Sequence, residues 1–408
     1  MPEFYWIPRL PASYHGAVVI RAVPKSFLLF LALLAAAVGA VFFLGRDRDR
    51  AAERYIVSRM AECYRTGGRD HCYRDAAEAF LARYPLATVM RLLARSEASP
   101  EVFSRCHEAA HFLARREFER TKSVRGVFSS CSAVCAAGCY HGALEAHFAA
   151  KNYPVTEAPD SLLSQEVRTI CGARQDYERP SIYIECVHGL GHAMMFITEN
   201  DLPRSLALCD ALGSTFDRES CYGGVFMENS SSSTSQDYPL SLPKADDPLY
   251  PCTAVERRYR KVCYTYQSSY FYRLGGSSWS RNVELCGRVP AEYRRGCFHT
   301  MGSNQVGSSR LPLKMKAGCD VVPNAKFRDV CYRGVAAGLV GRYSGNAMPI
   351  IGFCSVLDGP SREHCYRQLG FDLRSWTRDE RELASRCRLI PEEQYVSWCL
   401  NPRVELLD

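Results

Sequence analysis

Apolar residues recur at helical spacing in short stretches such as "SLALC" and "NVELC", and polar segments such as "DALGSTFDRES" and "GRVPAEYRRG" follow them. A second apolar stretch then opens, as in "CYGGVFMEN", "CFHTMGSNQ" or "CYRGVAAGL". Each unit therefore reads as helix A, polar turn, helix B, and the fold class is all-α. One stretch breaks the pattern: "ENSSSSTSQDYPLSLPKADDPLYP", residues 228–251, is Ser-rich and then Pro-rich without apolar periodicity, and it reads as an exposed loop. Another is too apolar for it. Residues 27–45, "FLLFLALLAAAVGAVFFLG", are 19 uncharged positions, the length that crosses a bilayer as a helix. Small residues near Gly39 would also suit a signal peptidase, but 26 residues precede the apolar run, which favours a retained anchor.

The cysteines mark the same units. From residue 171 onward they fall into couples: Cys171 and Cys186, Cys209 and Cys221, Cys252 and Cys263, Cys286 and Cys297, Cys319 and Cys331, Cys354 and Cys365, Cys387 and Cys399. Members of a couple lie 11 to 15 positions apart, and successive couples start 33 to 43 residues apart, which is a repeat. A bridge from the end of helix A to the start of helix B would staple each hairpin, contributing roughly 2 to 3 kcal/mol by the chain-entropy estimate. Cys63 with Cys72 and Cys131 with Cys139 form shorter couples, and Cys106 with Cys135 is assigned across neighbouring repeats, so that ten bridges use all 20 cysteines. The period resembles that of tetratricopeptide and Sel1-like helical repeats. The resemblance is one of architecture, without the tetratricopeptide consensus, and implies a solenoid of disulfide-stapled helical hairpins with no functional residue carried over.

Twenty cysteines, all C-terminal to the apolar run, belong in an oxidising compartment, which orients the chain. Residues 1–26 are then a cytoplasmic segment, 27–45 the transmembrane anchor, 46–200 a histidine-rich set of repeats and 201–408 a second set, with the bulk periplasmic or extracellular. The net charge of +7 comes from 51 basic and 44 acidic residues scattered among one another, which argues against a nucleic-acid partner.

Six of the ten histidines lie between residues 107 and 192. "HEAAH", residues 107–111, matches the zinc-protease string His-Glu-x-x-His, but Arg105, the neighbouring Cys106 and the absence of a strand pattern weaken that reading. Register is more informative. Three successive helix-B openings carry potential ligands four residues apart: His107 with His111, His141 with Glu145, and His188 with His192. A four-residue step turns about 40° around a helix, so each pair projects from one stripe. Stacked stripes would gather five imidazoles and a carboxylate into one groove, a set suited to Zn, Cu or Fe. Packed helices sit about 8–10 Å apart, so the array either curves sharply or holds two adjacent sites sharing His141 and Glu145. His147 points away from His141, His71 and His364 fall in turns, and His299 lacks a second ligand because Ser303 follows it.

Two function classes fit. One is a membrane-anchored metalloprotein, an enzyme if the metal activates water or oxygen with Glu108 or Glu145 as catalytic base. Bis-histidine haem is a variant of it, although no Cys-x-x-Cys-His motif supports covalent attachment. The other is a non-catalytic scaffold that holds a peptide or partner subunit on its repeat surface, where Tyr-rich stretches such as "CYTYQSSYFYRL" supply contact area. The anchor reading expects protease added to intact cells or spheroplasts to reach the repeats; cleavage only after lysis would reverse the orientation.

Overall fold

The computed structural model describes residues 48–402 apart from 67–69, 98, 133, 136, 152–159, 232–243 and 245. The apolar run 27–45 lies outside the described residues, and among those described no helix is long and apolar enough to cross a membrane. The described residues from Glu53 onward form one compact unit.

Among the described residues the fold is all-α. The A helices are α1 (48–65), α3 (Leu86–Ser96), α5 (Val124–Ser130), α7 (Asp160–Thr169), α9 (Leu202–Cys209), α12 (Trp279–Arg288), α14 (Pro312–Asp320), α16 (Ala347–Cys354) and α18 (Glu380–Cys387). The B helices are α2 (Asp70–Leu81), α4 (Pro100–Thr121), α6 (Gly138–Ala150), α8 (Pro180–Ile197), α10 (Thr215–Ser231), α11 (Arg257–Leu274), α13 (Arg294–Ser308), α15 (Ala325–Arg342), α17 (Gly359–Trp376) and α19 (Glu393–Leu400). Local chemistry starts many of them. Asp201, Ser278, Asn324 and Asp379 each accept a hydrogen bond from a backbone N–H of the following first turn, satisfying donors that a helix start leaves open.

All ten disulfides form as the spacing predicts, including Cys106–Cys135, and no cysteine is free. The bridges imply an oxidising, extracytoplasmic environment. Two boundaries differ from the sequence reading. The second cysteine of a couple usually lies inside helix B rather than at its start, because caps such as Ser214 and Asn324 begin the helix earlier in the polar segment. The stretch 228–251 is also not a loop from its first residue: α10 continues to Ser231, and Glu228, Asn229 and Ser230 are buried.

Each B helix packs mainly on the next, in the order α2, α4, α6, α8, α10, α11, α13, α15, α17, α19. Glycines set how closely. A Cβ on Gly191 of α8 would stand 2.0 Å from the Cys221 carbonyl oxygen of α10, and a Cβ on Gly224 would stand 2.0 Å from the His188 carbonyl oxygen. The two helices therefore touch backbone to backbone. Gly142 makes the same contact between α6 and α4, with the His111 carbonyl oxygen 2.4 Å from where a Cβ would be.

The array also curls back on itself. α8 meets α17. Arg342, at the end of α15, stacks 3.9 Å over Phe103 of α4 and lies 3.8 Å from the buried Glu97 carboxylate. Arg310 donates to the Glu97 carbonyl at 2.7 Å, and Arg179 faces Glu382 at 3.7 Å. Repeats distant in sequence thus clasp one another, and the array curves tightly.

The close contacts predict an asymmetric response to glycine substitution. Gly191→Ala is expected to cost roughly 1–3 kcal/mol, because the methyl overlaps a neighbouring backbone carbonyl that cannot swing away. Gly352→Ala in α16 meets nothing within 4 Å and should be neutral or slightly stabilising through helix propensity. Denaturant midpoints of the two variants measure the contrast.

Candidate metal centre

Five histidines from three consecutive B helices converge: His107 and His111 from α4, His141 from α6, and His188 and His192 from α8. They form two groups that can each hold a metal ion, His107–His111–His141 and His141–His188–His192, with the ligand atoms of each group within 4.8 Å of one another. His141 belongs to both. Its ring centre lies 5.6 and 5.5 Å from those of His107 and His111, and 5.6 and 4.4 Å from those of His188 and His192.

The outer histidines are fixed by their Nδ1 atoms. His107 Nδ1 lies 2.9 Å from the Cys135 carbonyl oxygen, and His188 Nδ1 lies 3.2 Å from the Ser220 carbonyl oxygen. A carbonyl only accepts, so both Nδ1 atoms carry the proton. His111 and His192 direct their Nδ1 atoms at carboxylates, Glu145 at 3.1 Å and Glu228 at 2.9 Å. Each carboxylate comes from the next B helix along, α6 or α10, and Arg115 further clamps Glu145. Where the rings are neutral, with the proton on Nδ1, the four Nε2 atoms carry lone pairs, and they face one another in twos: His111 to His107 at 3.1 Å and His192 to His188 at 3.3 Å. Neither nitrogen of such a pair can donate to the other. A cation between them removes the repulsion, and two imidazoles bound at about 2.0–2.1 Å on a tetrahedral ion would be about 3.3–3.4 Å apart. His141 completes the arrangement, since both of its ring nitrogens are buried and find no hydrogen-bond partner among the described residues.

Burial and the neighbouring imidazoles push the pKa of His107 and of His188 down to about 3, and that of His141 well below the ordinary histidine value. These three imidazoles are thus held neutral, the state that binds metal. Burial opposes ionisation of Glu145, but Arg115 and the His111 N–H outweigh it and hold its pKa far below the usual carboxylate range.

Glu145 therefore stands behind His111 as its orienting partner and belongs to neither ligand group. Glu108 is not brought to the centre either: one residue on from His107 it points off the ligand stripe and pairs with Arg105 at 3.3 Å. The carboxylate beside the histidines is Glu185 of α8, 3.7 Å from His141 Nε2, with about a fifth of its side chain accessible (21%) and its pKa raised by burial to about 7. Tyr266 of α11 adds a phenol on the other flank, its ring 6.1 Å from that of His188 and its pKa raised to about 12 by burial and the Glu185 charge. Most of the other aromatic residues in that Tyr-rich helix are packing residues: Tyr259, Tyr264, Tyr270 and Phe271 are buried.

The sequence reading missed Glu185, Glu228 and Tyr266. Glu228 had a signal, since it follows His192 by 36 residues as Glu145 follows His111 by 34. His147 pairs with Glu166 at 2.6 Å, His364 with Asp329 at 3.0 Å, and His71 is exposed, so all three stand apart from the centre, although His71 and His364 lie in the helices α2 and α17 and not in turns. The chain matches no family model, no curated protein and no solved structure.

The histidine protonation states make metal-free protein acid-labile. Between about pH 6.5 and 3 an unfolded histidine is protonated while folded His107 and His188 are not. The unfolded chain then binds more protons, so stability falls as pH falls. Glu185 acts oppositely between its usual value of 4.5 and about 7, where only the folded state holds its proton. Urea midpoints of metal-free protein should therefore decline gently from pH 6.5 and more steeply below about 4.5, and Glu185→Gln should steepen the upper part. A midpoint that rises on acidification would contradict the assignment.

Proposed function

We propose that this chain is a membrane-anchored, extracytoplasmic helical-repeat metalloprotein whose five histidines hold two transition-metal ions, with His141 bridging them. The observation that carries the reading is the facing of two Nε2 pairs, 3.1 and 3.3 Å apart, on either side of a buried histidine with both ring nitrogens unclaimed. One ion would take His107, His111 and one nitrogen of His141; the other would take His188, His192 and the second. Three imidazoles per ion leave a coordination position open, as in catalytic rather than structural sites. Imidazole donors suit Zn, Cu and Fe.

An open position on such an ion supports activation of a bound water or of oxygen. Glu185, as the nearest carboxylate to the shared histidine, is the group placed to take up a proton there, in the role the sequence reading gave to Glu108 or Glu145. The apolar run 27–45 serves as the anchor. The oxidised cysteines agree with a bulk outside the cytosol.

Protein purified without chelator should carry close to two equivalents of transition metal by elemental analysis. His141→Ala should lower this sharply by weakening both ions, and the His141→Ala/His188→Ala pair should abolish tight binding. His71→Ala/His364→Ala should leave it intact, with circular dichroism unchanged in all three because disulfides and apolar packing hold the fold. After reconstitution with copper(II), two bridged ions should show mutually coupled electron paramagnetic resonance signals and a single ion an uncoupled one. Metal below about a tenth of an equivalent, with none gained on addition, would remove the reading and leave a scaffold.

A further inference from the structure

The next B helix along finishes the two halves of the histidine centre differently. On the His107–His111 side, α6 lays its backbone against the rings: a Cβ on Gly138 would stand 3.0 Å from His111 Cδ2 and 3.1 Å from His107 Nδ1. On the His188–His192 side the corresponding helix is α10. Two places after the second cysteine of its couple stands Gly223, where the two preceding couples carry His141 and His188. The space a side chain would take there is filled from α11. A Cβ on Gly223 would stand 2.9 Å from the Tyr266 hydroxyl oxygen and 3.1 Å from its Cε2 atom, its three nearest neighbours all belonging to Tyr266.

The place of Tyr266 on α11 aims it there. Thr265, one residue earlier, meets α13, since a Cβ on Gly296 would stand 2.3 Å from Thr265 Oγ1. About 100° further round the helix, Tyr266 faces back over α10 toward α8. Its ring centre lies 6.1 Å from that of His188, and its hydroxyl feels the charge of Glu185, whose carboxylate is 3.7 Å from His141 Nε2. The phenol is half-buried, and its hydroxyl has no hydrogen-bond partner among the described residues. Tyrosine hydroxyls of other B helices do find one, Tyr222 and Tyr259 on Asp210 and Tyr332 on Asp320.

We propose that the Tyr266 hydroxyl is the hydrogen-bond donor for the open coordination position of the ion on the His188–His192 side, and that this position takes a small anion with an accepting atom, of the size of hydroxide or azide. The inference rests on the metal reading and assigns ligand binding to one of its two ions. The donors around that ion are otherwise spent: the Nδ1 protons of His188 and His192 go to the Ser220 carbonyl and to Glu228, and an ionised Glu185 only accepts. The phenol is the donor left beside His188 for a bound anion. His141 and His192 are buried and only His188, Glu185 and Tyr266 are partly accessible on this side, so the ligand admitted is small. Gly223 is what lets the hydroxyl reach it, and a methyl there would push the hydroxyl aside without touching any histidine of the centre.

Azide titration of the full chain in detergent, reconstituted with copper(II), tests it, with the azide-to-copper charge-transfer absorption as readout and metal content measured on the same samples. Saturable binding is expected. Tyr266→Phe, which keeps the ring, should weaken it about tenfold, as loss of one hydrogen bond to a charged ligand does. Gly223→Ala should weaken it comparably by displacing the hydroxyl. Tyr264→Phe, which alters a ring stacked on Tyr293 elsewhere on α11, should leave it unchanged. Copper should stay near two equivalents in all three variants, which separates loss of a donor from loss of the site. Copper-loaded protein without saturable azide binding, or affinity untouched in both Tyr266→Phe and Gly223→Ala, would overturn the inference and leave the histidine centre standing. A wild-type chain that takes up no copper would remove the metal reading and this inference with it.

Discussion

Backbone-to-backbone contact between consecutive B helices is the constraint on which the rest of the structure depends. Helices packed through ordinary side chains stay about 8–10 Å apart, and at that spacing the imidazoles of α4, α6 and α8 would answer to separate neighbours. With glycine at positions such as 142, 191 and 224, the facing helix presents its carbonyls where a Cβ would be, as the His111, Cys221 and His188 carbonyl oxygens do. The contact residues are the ligands themselves or their immediate neighbours. Close helix approach and a convergent set of ring nitrogens are thus one feature of the sequence.

That closeness creates an electrostatic difficulty, which the surrounding residues direct rather than remove. Oxygen acceptors on four histidines fix protons on Nδ1 and turn the Nε2 atoms toward one another at the centre, where neutral rings crowd their lone pairs. A core seeking only stability would have matched those nitrogens with donors, since buried unpaired polar groups are costly. Here the donors are spent outward, on carbonyls and carboxylates of the next repeat, and each outer ring is held in orientation before any cation arrives. Supports of this kind set the tautomer and basicity of a ligating histidine. Folding energy is therefore committed to an arrangement whose natural complement is positive charge.

How much of this was legible in the sequence follows from how local each constraint is. Bridge geometry demands short Cα separations, and a repeat imposes that demand at a fixed interval, so Cys286–Cys297 and its counterparts could be read from spacing alone. The histidine pairs were legible too, because His107 with His111 and His188 with His192 share a stripe by helical arithmetic. The partners one repeat away were not. Glu228 sits where a serine run suggested a loop, and only the continuation of α10 places it beneath His192. Glu185 had a local signal, since it precedes His188 by three residues on α8, whereas Tyr266 arrives from α11 by tertiary packing that no local pattern carries. Glu145 was picked out for its spacing from His141, but its closest partners, Arg115 and His111, approach it from α4, which spacing on its own helix does not reveal.

Covalent stapling explains why one repeat position can carry such different chemistry along the chain. In each couple the bridge and the apolar core residues around it hold the hairpin, as with Cys331 between the buried Val330 and Tyr332, while the residue two places on differs from couple to couple. It is nonetheless carried on a helix that the next glycine contact fixes in space, as Gly334 does against the His299 carbonyl. A side chain so held is both free to vary and well positioned, the combination a functional site requires. From His141 and His188 through Gly223 and Thr265 to His299, Arg333 and Arg367, one repeat plan carries a different chemistry at the same position, and the histidine centre is its most concentrated product.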